Sequence, residues 1–150
     1  CNVPTIASIS GECFGAGLII ATSCDLRIAS KNAKFAIPAA KIGITLNYEE
    51  LEKINNLINI SFLKELLLTA SPVNAKRAYK NGLVNKIVKE ENLSVETLKI
   101  ATAIIENSNV SNLRHLKMLT ILNKYGIANI PSQELDAEFL SFSSQLLKKI

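Results

Sequence analysis

The chain has 150 residues, which is enough for one domain with a real hydrophobic core. Its net charge of +4 comes from lysines scattered along the sequence, and only 5% of its residues are aromatic. A nucleic-acid-binding surface needs a basic stripe or stacking aromatics, so we expect no nucleic-acid partner. No apolar run approaches about 18 residues, so we expect no membrane-spanning helix and no membrane partner.

The three cysteines of the chain are Cys1, Cys13 and Cys24. Their number is odd and their spacing is not that of metal ligands, so we expect no metal site. Cys13 and Cys24 are instead expected to be small buried residues of the protein interior. Reduced cysteines of this kind predict a cytoplasmic location, where thiols are kept from forming disulfides.

The first predicted elements in chain order are a strand and a helix joined by a glycine-rich turn. Residues 3–9 form a nearly continuous apolar run, which is typical of a strand covered on both faces. The turn occupies residues 11–17. The helix that follows, over residues 15–23, is apolar nearly all round, so we expect it to be buried. Backbone N–H groups at the start of such a helix can bind negative charge.

Three explanations fit this glycine-rich turn. Gly15 and Gly17 match the first two glycines of a dinucleotide-binding fingerprint, but Ile20 stands in the third position. The acidic residue that the fingerprint needs about 20 residues further on is also missing. A second explanation is that the glycines only allow close packing between helix and strand. The third is that the N–H groups stabilise an oxyanion or enolate on a thioester.

The middle of the chain is predicted to alternate short strands and helices. The strands cover residues 26–29, 34–37 and 83–88, and the helices cover residues 48–57, 62–69 and a short segment before residue 82. Pro38 ends the second of these strands. Ser61 and Asn74 are the expected N-caps of the second and third helices. Gly82 marks the end of the third helix in a left-handed conformation.

After residue 92, apolar residues recur at helical spacing. Two such groups are Leu98, Ala101 and Ile105, and Leu113, Leu116 and Leu119. A last helix, with Pro131 in its first turn, carries an apolar stripe formed by Leu135, Phe139, Phe142 and Leu146. This stripe needs a partner surface, either within the chain or on another subunit. His115 lies among the leucines, which predicts a structural or surface role for it.

An ordered series of motifs runs through residues 3–90. It consists of VPTIASISG (3–11), GAG (15–17), CDLRIAS (24–30), AKFAIP (33–38), KIGI (41–44), KELLLTASPVNA (64–75) and GLVNKIV (82–88). In this order the motifs resemble the enoyl-CoA hydratase/isomerase (crotonase) superfamily. The segment 64–72 is especially similar to the methylmalonyl-CoA decarboxylase branch of that superfamily.

The resemblance implies an α/β fold: the C-terminal part of a crotonase-like ββα spiral over residues 1–90, followed by a helical C-terminal region over residues 91–150. Family members carry a further N-terminal half with more ββα turns. The chain begins at Cys1 with no signal-peptide pattern, so we expect it to be the middle-to-late part of a longer protein or a proteolytic remnant. The resemblance also implies a homotrimer or hexamer.

By the same resemblance, the backbone N–H of Ala16, beside Gly15, is one donor of an oxyanion hole. The two catalytic glutamates of family hydratases align with Ile19 and Ala39, and neither side chain can transfer a proton. Ordinary hydration is therefore not expected. Loss of CO₂ from a thioester creates the enolate without a base, so an oxyanion hole and an apolar pocket do much of the work. The resemblance thus favours decarboxylase-like chemistry.

The acyl end of the predicted site is the least regular part of the resemblance. A Tyr-Asn pair of the decarboxylase branch aligns with Leu46 and Asn47, and Tyr48 follows one residue later. Leu46 and Tyr48 are therefore expected substrate contacts, and we predict that Ile19, Ala39 and Leu46 line one apolar pocket. Coenzyme A enters as part of the acyl-CoA substrate, so no separate cofactor is expected. The alternative is a catalytically silent subunit that binds acyl-CoA or supports oligomerisation.

Overall fold

A computed structural model describes residues 3–107, 113–114 and 116–120 of the chain. The chain divides into two compact units, Cys1–Val110 and Ser111–Ile150. In the second unit, residues 113–114 and 116–120 are helical. His115 and the predicted stripe of residues 135–146 lie outside the described residues, and the predicted domain boundary at residue 90 stays a prediction. Within the part of the chain that is described, no helix is both long and apolar enough to cross a bilayer.

Strands and helices alternate along the first unit. The strands are β1 (Ile6–Ile9), β2 (Glu12–Phe14), β3 (Leu26–Ser30), β4 (Lys34–Ala36), β5 (Val73–Asn74) and β6 (Lys86–Val88). The helices are α1 (Ala16–Ser23), α2 (Ala39–Ile42), α3 (Tyr48–Asn55), α4 (Ile60–Thr69), α5 (Ala75–Lys80) and α6 (Leu93–Glu106). A 3-10 turn over Glu90–Asn92 precedes α6. This alternation is that of the predicted α/β class.

The strands form two small sheets, and each strand belongs to one of them. In one sheet β3 lies between β1 and β6, and all three strands are parallel. In the other, β4 pairs with β2 in parallel and with β5 in antiparallel orientation. The chain thus passes from the first sheet to the second and then into a helix, once through β1, β2 and α1 and again through β3, β4 and α2. The sequence did not predict β2, because three residues give too little periodicity to reveal a strand.

The main core lies between the second sheet and the helices around it. Leu18 of α1, Phe35 of β4 and Leu66 of α4 are fully buried members of this one cluster. A second, smaller cluster joins Ile28 of β3 to Leu93 of α6. Helix α6 therefore covers the sheet formed by β1, β3 and β6, and it packs on β1 and β3.

Asparagine side chains begin three of the helices. The side-chain oxygens of Asn47, Asn59 and Asn74 each accept a hydrogen bond from the N–H three residues later, at 2.8, 2.8 and 2.9 Å. The predicted cap at Asn74 is confirmed. The predicted cap at Ser61 is wrong, because Asn59 accepts from the N–H of Phe62 and Ser61 lies inside α4. Asparagine and serine are about equally good caps, so composition did not separate them.

Helix α1 is less buried than its composition predicts. Leu18 and Ala21 are buried, whereas Ile20 is 68% exposed and Ala16 is also exposed. The prediction of burial all round is wrong for this helix, because no other described residue covers the face that Ile20 occupies. Among the cysteines, Cys13 is buried as predicted but Cys24, at the end of α1, is only half-buried.

Gly82 provides a test of a close backbone approach. It has a φ of +81°, and a Cβ at this position would lie 2.8 Å from the carbonyl oxygen of Leu57. We expect Gly82→Ala to lower the free energy of unfolding by about 1–2 kcal/mol through its left-handed backbone, and further through this clash. Gly11→Ala is the matched control, since Gly11 also has a positive φ but nothing within 4 Å of an added Cβ. Urea unfolding followed by circular dichroism measures both, and equal losses would contradict a role for the Leu57 contact.

A charge cluster between β6 and α6 predicts a pH dependence of stability. The carboxylate of Glu96 binds Lys86 at 2.7 Å and Lys99 at 2.8 Å. Hydrogen bonds from these lysines, and their charges, lower the pKa of Glu96 from 4.5 to about 2. Because the folded-state pKa lies below the unfolded one, this stabilisation is present above the unfolded pKa and is lost as the pH falls from about 5 to about 2.

We therefore expect the free energy of unfolding of Glu96→Gln to fall less steeply than that of the wild type as the pH drops from about 5 to about 2. Glu91→Gln is the control, because the Glu91 carboxylate lies 3.7 Å from Lys89 and both side chains are well exposed. Urea unfolding at a series of acidic pH values measures the slopes. Identical slopes for the wild type and Glu96→Gln would rule out this origin of the pH dependence.

Candidate functional site

The turn between β2 and α1 leaves backbone N–H groups without helical partners. Gly15 precedes the helix with φ 50° and ψ −119°, a conformation that residues with a Cβ rarely adopt. Its N–H donates to the carbonyl of Ala36 in β4 at 3.0 Å, and its carbonyl accepts from the N–H of Ile19 at 3.1 Å. No side chain caps α1. The exposed first turn, which begins at Ala16, can therefore receive an anionic oxygen.

Residues of α2 and of the following loop lie close to this turn. A Cβ on Gly15 would lie 3.9 Å from Cδ of Pro38, the residue that precedes α2. Ala39 is buried in the main core, and the half-buried Ile19 and Leu46 pack against the same cluster. The three residues predicted to line one pocket thus share a hydrophobic cluster. A pocket for an acyl group between them stays a prediction.

The start of α3 is fixed by a reciprocal pair of hydrogen bonds. Asn47 Oδ1 accepts from the N–H of Glu50 at 2.8 Å, and Glu50 Oε2 accepts from the N–H of Asn47 at 3.1 Å. Tyr48 between them is 78% exposed, and its role as a substrate contact stays a prediction. The pattern Asn-x-x-Glu is a capping box, and it is visible in the sequence as a helix-start signal. Since α3 packs against α1, this box helps to hold the helix beside the site.

Proton-transfer groups are missing from the two positions where the resemblance implies them. Those positions hold Ile19 and Ala39, which carry no titratable atom. Cys13 of β2 is nearby in the chain, but burial raises the pKa of its thiol to about 11. A thiol with such a pKa stays protonated at neutral pH and is a poor nucleophile. Among the described residues, no group of three or more His, Cys, Asp or Glu side chains is placed to hold a metal ion.

Gly15 is the residue on which the shape of the turn depends. We expect Gly15→Ala to lower the free energy of unfolding by about 1–3 kcal/mol, the cost of a backbone region that favours glycine. Gly17→Ala is the matched control, because Gly17 is helical and an added Cβ would meet nothing within 4 Å. That control should be neutral or stabilising by up to about 1 kcal/mol. Chemical unfolding compares them, and equal stability would contradict the strain assigned to Gly15.

Both the sequence and the backbone of this chain match known proteins. A family model described as enoyl-CoA hydratase/isomerase matches residues 1–146. Short-chain-enoyl-CoA hydratase of Clostridium acetobutylicum is 38% identical over 108 residues, which are 72% of this chain and 41% of that protein. The chain therefore spans less than half the length of this relative.

Two solved structures place the same backbone in a longer chain. An enoyl-CoA hydratase/carnithine racemase from Magnetospirillum magneticum matches with a TM-score of 0.79 and 29% identity, over 91% of this chain and 51% of that one. A methylmalonyl-CoA decarboxylase in complex with 2-nitronate-propionyl-CoA matches with a TM-score of 0.75 and 27% identity, over 89% of this chain and 51% of that one. This chain thus corresponds to about half of each structure.

Proposed function

Because this chain belongs to the enoyl-CoA hydratase/isomerase family, we propose that the protein binds an acyl-CoA thioester at the first turn of α1 and stabilises an enolate on it. Membership of the family confirms the resemblance and the fold class predicted from the sequence. Coenzyme A is part of the substrate in this proposal, and no separate cofactor is needed. The observation that carries the proposal is the uncapped start of α1 next to Gly15.

In the proposed complex, the N–H of Ala16 donates to the thioester oxygen. That oxygen gains negative charge in an enolate, and a helix start offers it a fixed N–H dipole at the positive end of the helix. Gly15 sets the direction of this N–H through its own hydrogen bonds. Ile19, Ala39 and Leu46 provide an apolar setting for the acyl group. Such a setting strengthens the interaction, because charges attract more strongly at low dielectric constant.

Decarboxylation is the reaction that these residues support best. Hydration needs groups that give and take protons, and Ile19 and Ala39 cannot do so. In decarboxylation of a malonyl-type thioester, the bond to the carboxylate breaks and its electron pair enters the enolate, so no base is required. Water then supplies the proton that completes the acyl-CoA product. The fold is compatible with this reaction, since a methylmalonyl-CoA decarboxylase shares it.

A second candidate is a catalytically silent subunit that binds acyl-CoA or supports oligomerisation. The absence of titratable atoms at Ile19 and Ala39 favours it as well, because binding needs only the turn and an apolar surface. The two candidates differ in turnover. A silent subunit binds the enolate analogue of a thioester without releasing CO₂ from the corresponding substrate.

We also propose an assembly and a location. Four large apolar side chains at helical spacing, in the stripe of residues 135–146, would each forfeit about 1.5–3 kcal/mol if left in water. A homotrimer or hexamer would bury them between subunits. The free thiols of Cys13 and Cys24 suit the reducing cytoplasm.

Replacing Ala16 tests the proposed donor directly. Ala16 is the first residue of α1, a position where proline removes the N–H without disrupting a helical hydrogen bond. We expect Ala16→Pro to weaken binding of the enolate analogue 2-nitronate-propionyl-CoA by ~10²–10³-fold, the usual effect of losing one oxyanion donor. Propionyl-CoA should be affected less, since it carries no enolate charge. Isothermal titration calorimetry of the 150-residue chain measures both ligands.

Ala16→Gly is the matched control, because it alters the side chain and keeps the N–H. Equal weakening of both ligands by Ala16→Pro would contradict enolate stabilisation by this N–H. Release of CO₂ from methylmalonyl-CoA separates the decarboxylase from the silent subunit. Hydration of crotonyl-CoA above background would show that other residues carry acid–base chemistry, and we expect none from this chain.

A further inference from the structure

Arg27 is a buried arginine at the opposite end of α1 from the candidate site. It lies in β3 and is only 3% exposed. Its Nη1 donates to the carbonyl of Cys24, the residue that ends α1, at 2.7 Å. Its Nε donates to the carbonyl of Leu83, which lies between α5 and β6, at 2.8 Å. Burial lowers the pKa of the Arg27 guanidinium, but an arginine side chain stays charged at neutral pH.

The backbone around Arg27 is held on both sides. Its N–H donates to Asn85 Oδ1 at 2.8 Å, and its carbonyl accepts from the N–H of Asn85 at 2.9 Å. Two residues earlier, Asp25 accepts from the N–H and the hydroxyl of Thr5, each at 2.7 Å. The segment that follows α1 is therefore fixed to the start of β1 and to the loop before β6. Through its bond to the Cys24 carbonyl, the Arg27 side chain extends this framework to the residue directly after α1.

Helix α1 needs such an anchor more than a longer helix does. It has eight residues, a length of about 12 Å, and helices of this length are marginal by themselves. It has no side-chain cap at its start and no basic residue in its own last turn. Arg27 supplies an anchor from outside the helix, because it bonds the carbonyl of Cys24, the residue that directly follows Ser23.

We propose that Arg27 is a positioning residue for the N–H donors at the start of α1. Gly15 sets the direction of the Ala16 N–H, and an anchor at the carboxyl end of so short a helix restrains the movement of its amino end. A functional group must be held within about 0.5 Å of its productive position to act. The bonds of Arg27 to Cys24 and Leu83 restrain one end of the helix that carries Ala16. The identity of the bound ligand rests on the proposed function, whereas the anchoring of α1 is a property of the free protein.

Three variants of the full 150-residue chain separate positioning from general stability. Arg27→Gln removes the charge and shortens the side chain, and Arg27→Lys keeps the charge with fewer donors. Asn85→Ala is the matched control, because it removes a bond to the Arg27 backbone and leaves the bond to Cys24. Amide hydrogen exchange, followed by NMR, is measured in α1 at residues 20–23 and in α4, and binding of 2-nitronate-propionyl-CoA is measured by calorimetry.

We expect Arg27→Gln to speed exchange in α1 by about tenfold or more, the scale expected for losing a charged hydrogen bond, and to weaken binding of the nitronate similarly. Arg27→Lys should be intermediate, and Asn85→Ala should leave α1 within about twofold of the wild type. Exchange in α4 should follow only the global stability of each variant. Equal acceleration in α1 by Asn85→Ala and Arg27→Lys would overturn the proposal, as would unchanged α1 exchange in Arg27→Gln.

The two levels of the proposal fail in different ways. If the wild type does not bind the nitronate but the variants show the expected exchange pattern, the proposed function is overturned. Arg27 would then still be the anchor of α1. If Arg27→Gln speeds exchange in α1 but binds the nitronate as tightly as the wild type does, the anchor has no effect on the site. That result would overturn the positioning role of Arg27.

Discussion

Gly15 has to connect three parts of the structure within a single residue. It leaves β2, donates its N–H to Ala36 of the neighbouring strand, and offers its carbonyl to the first turn of α1. It makes these bonds with φ 50° and ψ −119°, a backbone conformation that strongly favours glycine. The direction of the next N–H, that of Ala16, follows from this geometry. The candidate site therefore depends on backbone conformation more than on any side chain.

Helix α1 begins without a side-chain cap, as do α2 and α6. Helices α3, α4 and α5 each begin with an asparagine that accepts a hydrogen bond, whereas α1 has no side-chain cap. The missing cap forgoes stabilisation of about 1 kcal/mol. Burial of Leu18 contributes about 1.5–3 kcal/mol in the opposite direction. The interior anchors of α1 thus allow its first turn to remain available for a ligand.

The same helix joins two kinds of environment. Its carboxyl end is held by the buried guanidinium of Arg27, while its amino end is exposed beside the residues that begin α2. A rigid interior end and an open outer end are what an electrostatic site needs, because preorganised dipoles stabilise charge without reorganising during the reaction. In the proposed site, Ile19 and Ala39 are apolar, so the helix start would be the main source of electrostatic stabilisation.

Sequence patterns alone were enough to predict the family, the α/β class, most helices and the glycine-rich turn. Ordered motifs, apolar runs and turn residues are local signals, and Asn74 and Gly82 hold the predicted helix cap and left-handed helix end. The predicted strand over residues 83–88 is too long, because β6 begins only at Lys86. Leu83 is buried without being paired in the sheet, and burial alone does not show where strand pairing begins.

The remaining features depend on contacts between distant segments of the chain. The strand β2 exists because its three residues find a partner in β4, and the exposure of Ile20 depends on what packs against α1. The bond that Arg27 makes to Leu83 joins residues 56 positions apart. Such features depend on which segments meet in space, and neither local composition nor periodicity contains that information.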